Sequence, residues 1–449
     1  MIRRAFLHSS VWNAAGRTLV ANAGSLFGTS LLTAGFGAIY WAIAARIVPA
    51  PELGAAAAAF SAMALLGRVA TVGLGTVLIG ELPAHAGNER GFIYGAIAVA
   101  GTVGAVLGVT FIAIAVWVAP DLSGIATPVG IAIFAGGVAS TAAAFVLDAA
   151  FIGVRRPALQ FSRNVLAAAV KLLVLVVVGV TVAAIDAPIL LLGWVAGTVA
   201  SLAPLAAIAR SPGQSTRRGH RQLPTGLGHL ALRHHALNLS ILAPGLLLPV
   251  VVTAVLSSEA NAYFYIAFTV AGLGLAIPNS LSTALYAAGA RDGAALRDRV
   301  RLSFGLCVVA AIGVNAFVLV GAELVLSIFG VRYAQEAGVA LRLLTLSMFP
   351  VTIIGLYVPI ARIQGRFLRA SLIMLAAMVA QFLSVTLGAR TWGLDGVAIG
   401  WLVGTTVTSA ALIPTVWRVA WRRPGSAPPG AGDTRRSPEG RDEALEGIS

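Results

Sequence analysis

Long apolar runs constrain this chain more than any other feature. Residues 18–45 (TLVANAGSLFGTSLLTAGFGAIYWAIAA) contain no ionisable side chain, and a run of that length crosses the hydrocarbon core of a bilayer with some tilt. No water reaches the backbone there, so each such run is expected to satisfy its own amides as a helix. Segments of spanning length recur at 18–45, 53–80, 92–119, 127–152, 164–185, 188–209, 236–256, 261–289, 302–329, 340–360, 370–389 and 395–417, about twelve in all. With 58% hydrophobic and 11% charged residues and a mean hydropathy of +0.90, a soluble fold is excluded. The expected fold class is an all-α polytopic membrane protein.

The formal charge is +14, and Lys171 is the only lysine. The arginines form no face interleaved with aromatics, so nucleic acid is not an expected partner. They alternate between connections instead. One set holds Arg3, Arg4 and Arg17, then Arg90, then Arg155, Arg156 and Arg163, Arg210 to Arg233, Arg291 to Arg301, Arg362, Arg366 and Arg369, and Arg418 to Arg423. The other set holds little beyond Arg46, Arg332, Arg342 and Arg390. The positive-inside rule then places both termini in the cytoplasm. We call the arginine-rich end inner and the opposite end outer.

This segmentation predicts a cytoplasmic N-terminus over residues 1–17, a first six-helix lobe over 18–209, an inner loop over 210–235, a second lobe over 236–418, and a disordered cytoplasmic tail over 419–449 rich in Pro and Gly. The lobes read as faint repeats. Asn22 opens the first helix as Asn238 opens the seventh, each followed six residues later by a helix breaker, Gly28 and Pro244, and each hairpin turns before an acid, Glu52 and Glu259. Gly24/Gly28, Gly104/Gly108 and Gly400/Gly404 read as close-packing pairs. Tyr263, Phe264 and Tyr265 read as an aromatic belt, and His234 and His235 as interfacial residues.

Arg68 carries most of the functional argument. It lies inside the second apolar run, which places it near the midplane, where a lipid-facing arginine costs at least about 2.5–3.5 kcal/mol. It should therefore face a wet cavity or a carboxylate, and no acid stands at comparable depth in the sequence, which favours a cavity that receives an anion. Lys171 is expected to lie about 12 Å deep on the inner side. It pairs there with Asp148 on the adjacent helix or points into the cavity, with Arg155 two turns from Asp148. Arg46 at the outer mouth of the first hairpin reads as an anchor or an outer gate. No Walker A sequence, Cys/His cluster or Gly-x-Ser-x-Gly occurs, so neither cofactor, metal nor enzymatic activity is expected. The single Cys307 excludes an intrachain disulfide.

Three stretches resemble a known family. AIYWAIAARIVPAPELGAAAAAFSAMALLGRVATVGLGTVLIGELP, FVLDAAFIGVRRPALQFSRNVLAAAVKLLVL and ANAYFYIAFTVAGLGLAIPNSLSTALYAAGARD are similar to the first hairpin, the fourth-to-fifth helix region and the eighth helix of polysaccharide-biosynthesis membrane proteins. These are lipid-linked oligosaccharide flippases of the multidrug/oligosaccharidyl-lipid/polysaccharide (MOP) exporter superfamily. The resemblance implies two six-helix lobes of MATE type around a cavity formed by the first, second, seventh and eighth helices. It also implies a bacterial plasma-membrane location and an undecaprenyl-diphosphate-linked glycan as cargo. Envelope glycosyltransferases or a polymerase would be the partners. Substrate-binding positions under this reading are Arg68, Lys171, Asn22, Asn238 and Arg46, with Asp148 and Arg155 as a coupling or ion pair. A cation-coupled multidrug exporter of the same superfamily and a non-transporting envelope scaffold are the alternatives. Where relatives often place a basic residue before Glu-Leu-Pro, this chain has Gly80.

Overall fold

In the computed structural model, residues 14–82, 89–154, 156–203, 205, 227–289 and 296–421 are described. The inner loop and the tail expected from sequence lie mainly outside them, at 206–226 and 422–449, as does Arg155. Every described element is helical: α1 (Ala14–Ile47), α2 (Ala50–Ala70), α3 (Leu74–Glu81), α4 (Glu89–Val118), α5 (Pro128–Gly153), α6 (Pro157–Thr181) and α7 (Ala187–Ala200). The second half holds α8 (Leu227–Val255), α9 (Ser258–Gly289), α10 (Leu296–Ser327), α11 (Val331–Leu346), α12 (Met348–Ile363) and α13 (Phe367–Trp421). A short 3₁₀ turn, Pro120–Ile125, joins α4 to α5.

Four of the sequence-expected passes are not separate straight helices. The second is split into α2 and α3, and the tenth into α11 and α12 at Ser347. The last two run together as the 55-residue α13, which folds back at Trp392 and Gly393, where φ at Gly393 is 58°. Helix ends carry their expected signals. Thr127 and Asp186 accept the amides of Gly130 and Ile189, and Pro128 and Pro157 open α5 and α6, where a missing N–H costs nothing. α8 starts at Leu227, so the last residues assigned to the inner loop are already helix.

The halves meet where α1 and α2 pack on α8 and α9. At the outer end this seam is tight. A Cβ added at Gly54 would fall within the Ser258 carbonyl, and Asn261 Nδ2 donates to the Gly54 carbonyl at 2.8 Å. Asp121 Oδ2 accepts the Ser258 amide at 2.7 Å, and Arg46 Nε donates to the Ile328 carbonyl at 2.9 Å. The rings of Trp41 and Tyr265 meet edge-on at 4.8 Å. Tyr263, Phe264 and Tyr265 are therefore buried core residues of this seam, not an interfacial belt, because α9 turns that face onto α2 and α11.

The small-residue pairs divide. Gly104 and Gly108 lie against the backbone of Ala139 and Ala135, and Gly400 against Ser384 and Val385. Gly24 and Gly28 have nothing within 4 Å, because the inner half of α1 leans on α9 and α10 through Leu19 and Ala23 and turns its glycines away. Gly400→Leu is expected to lower the thermal unfolding midpoint in detergent, with an overpacking cost of about 1–3 kcal/mol. Gly24→Ala, measured the same way, should leave the midpoint unchanged or raise it slightly.

Candidate functional site: a cationic cavity beside a broken helix

The sequence Arg68-Val69-Ala70-Thr71-Val72-Gly73 ends α2 inside the membrane-spanning pass. Thr71 Oγ1 donates to the Arg68 carbonyl at 2.8 Å, Val72 adopts φ 44°, and Gly73 takes φ 80° before α3 begins. Positive φ is free for glycine and uncommon for a β-branched valine, so this corner is held by its surroundings. Such a break frees backbone groups, which a bilayer tolerates only where protein or water meets them. A cavity of about 380 Å³ lies at the corner. Thr71, Gly73, Gly75 and Thr76 line it from the break, Phe145 and Asp148 from α5, Gln160 from α6, and His235 and Asn238 from α8.

Arg68 is exposed into this cavity, with its guanidinium over the Phe145 ring at 3.8 Å from the centroid. Stacking on a π face suits a planar cation, and the last turn of a helix also favours positive charge. Arg68 follows Gly67, which packs on Thr141 and Ala142 near the middle of α5, and its side chain lies over Phe145 at the cavity that Asp148 also lines. The sequence had suggested no carboxylate at comparable depth, because Asp148 was placed only relative to Lys171. Packing of α5 on α2 brings it to the same cavity wall, where it attracts Arg68 electrostatically.

Asp148 is held by a different arginine. Arg163, 5% exposed, donates from Nε to Oδ1 at 2.9 Å and from Nη2 to Oδ2 at 2.7 Å. Its Nη1 donates to Ser201 at 3.0 Å, so the fork is used on both sides. Arg163 and Asp148 neutralise one another, and Arg68 leaves the cavity with one net positive charge. The expected Lys171–Asp148 pair does not form. Lys171 Nζ instead sits 3.6 Å from the Trp194 ring centroid, within a cluster containing Tyr40, Trp41 and Phe60, and its stem covers Gly197, whose missing side chain makes room for it. Lys171, Asn22 and Arg46 do not line this cavity. Asn22 is exposed on α1, and Arg46 belongs to the outer seam.

On the α8 side, Asn238 Oδ1 accepts from Arg362 Nη2 at 2.6 Å, which brings a second arginine to the rim. His235 hydrogen-bonds the Val69 backbone, and its Nε2 is buried without a partner among the described residues. Sequence reasoning assigned Arg362 to topology and His235 to the interface. Gly73 next to Thr71 was the readable signal for the break. This cavity is walled by the second, fourth, fifth and seventh passes.

No protein-family model and no curated protein matches the chain. Solved structures do. A multidrug resistance MATE family transporter of the MOP superfamily in an inward-facing conformation overlays with a TM-score of 0.68 at 15% identity, covering 87% of this chain and 94% of that one. An outward-facing conformation of such a transporter gives 0.59 at 14% identity, over 91% and 97%. A mutant of the Vibrio cholerae MATE transporter VcmN gives 0.60 at 13% identity, over 90% and 98%. The fold is that of the MATE transporters of the MOP superfamily, and the chain is an integral membrane protein with many spans.

Removing the Asp148 carboxylate would leave Arg163 buried without its partner. Asp148→Ala is expected to destabilise the protein by about 3–5 kcal/mol, seen as a lowered unfolding midpoint, with part of the loss recovered in Asp148→Ala/Arg163→Met.

Proposed function

We propose that this protein is a transporter that moves a lipid-linked oligosaccharide, of the undecaprenyl-diphosphate type, across the bacterial plasma membrane by alternating access. The observation that supports this reading best is Arg68: it is exposed into a cavity whose one lining carboxylate, Asp148, is already engaged by Arg163. A single unneutralised guanidinium over an aromatic ring suits a phosphate or diphosphate. The surrounding Thr71, Thr76, Gln160 and Asn238 offer hydroxyl and amide groups of the kind that bind sugars. The glycan would occupy the wet cavity while the polyprenyl chain stays in lipid. Envelope glycosyltransferases or a polymerase would supply or consume such a substrate.

The closed outer seam and the cavity at the inner ends support an inward-facing state in this reading, as does the higher TM-score to the inward-facing neighbour. A second reading, export of organic cations, draws on the same fold and on Asp148 facing the cavity. It needs Asp148 released from Arg163, which makes it the less economical of the two.

Translocation of a fluorescent undecaprenyl-diphosphate glycan in proteoliposomes tests the proposal. Arg68→Ala is expected to slow it on the order of 10- to 100-fold, the value of a charge-assisted hydrogen bond, while the protein stays monodisperse. Arg68→Lys should recover only part of the rate. A normal rate in Arg68→Ala would overturn the assignment, and transport of an organic cation abolished by Asp148→Asn would favour the second reading.

A further inference from the structure

The inner end of the second half carries a separate polar site that shares no lining residue with the Arg68 cavity. Five arginines at this end give donors to oxygens of the protein. Arg297 and Arg301 donate to the Ala420 carbonyl, Arg299 to Ala288, Arg418 to Pro414, and Arg362 to the Asn238 side chain. Arg366 and Arg369, at the start of α13, are both exposed, and neither has a hydrogen-bond acceptor or carboxylate partner among the described residues.

These two arginines line one small cavity of about 60 Å³ together with Tyr357, which is 4% exposed. The three residues reach this one cavity from two helices, Tyr357 from α12 and the arginines from the start of α13. The rest of the wall combines apolar Ile360, Ile373 and Leu412 with the polar side chains of Gln364 and Thr415. An arginine kept only for topology needs no more than a place near the inner surface. Two unpartnered guanidiniums and a phenol beside a partly apolar wall form something more specific, namely donors for a phosphate diester beside a surface for hydrocarbon.

We propose that Tyr357, Arg366 and Arg369 bind the phosphate of an anionic phospholipid from the inner leaflet, with its acyl chains against α13. Each basic residue near an anionic bilayer surface contributes enough to change affinity several-fold, so two acting on one phosphate give a strong preference over zwitterionic lipid. The site lies apart from Arg68 and does not depend on what the cavity carries.

Native mass spectrometry of the delipidated full chain, titrated with phosphatidylglycerol or phosphatidylcholine, tests this. The wild type should retain phosphatidylglycerol preferentially, and Arg366→Gln/Arg369→Gln should weaken that binding on the order of tenfold or more. Tyr357→Phe should lower it several-fold. Arg418→Gln, which removes a neighbouring inner arginine outside the cavity, should change little. Retention of phosphatidylglycerol undiminished in the double variant would overturn the site. An equal loss in Arg418→Gln would also overturn it, because it would mark a general surface potential. Displacement of the lipid by millimolar inorganic phosphate would overturn the lipid as ligand and leave a free-phosphate site.

Discussion

A helix that crosses a bilayer can be interrupted only where something other than lipid meets the amides that the break sets free. In this protein the second pass stops at Ala70, two residues after Arg68, turns through Thr71, Val72 and Gly73, and resumes as α3. The cavity, its polar wall and the placement of the guanidinium all follow from that interruption. The Thr71 hydroxyl caps the carbonyl of Arg68, and Phe145 of α5 supplies a π face for the charge.

The two ends of the seam between the halves are built differently. Outside, glycine and alanine let α2 and α9 approach to backbone contact, and three hydrogen bonds cross between the halves, from Asn261, Ser258 and Arg46. At about 0.5–1.5 kcal/mol each, they hold the closed end by only a few kcal/mol, which a bound ligand with differential affinity can outweigh. Inside, the halves still touch where Gly73 lies on the Ala231 backbone and His235 bonds Val69, and the cavity opens beside that contact with polar groups on its wall.

Much of the fold was legible because hydrocarbon imposes helices and their length. The apolar runs locate the passes, and the alternation of arginines orders the ends. What escaped was rotation about the helix axes. Arg68 could be recognised as costly, yet the break after it and the Phe145 ring beneath its guanidinium could not be read from the apolar run. Asp148 was matched to Lys171 on depth alone, whereas contact depends on which faces α5 and α6 present, and Arg163 proved to be the residue on that face. Gly24 and Gly28 carry the same spacing as Gly400 and Gly404 but meet nothing, since spacing cannot say whether a neighbour is there.

The central claim is that the cavity beside the break selects an anion. Its most direct test is equilibrium binding to the purified wild-type protein, comparing undecaprenyl diphosphate with a quaternary ammonium dye across a range of salt. The account predicts saturable binding of the diphosphate, weakening as salt screens the guanidinium, with the dye failing to compete. Saturable dye binding that displaces the diphosphate, or diphosphate affinity indifferent to salt, would contradict it.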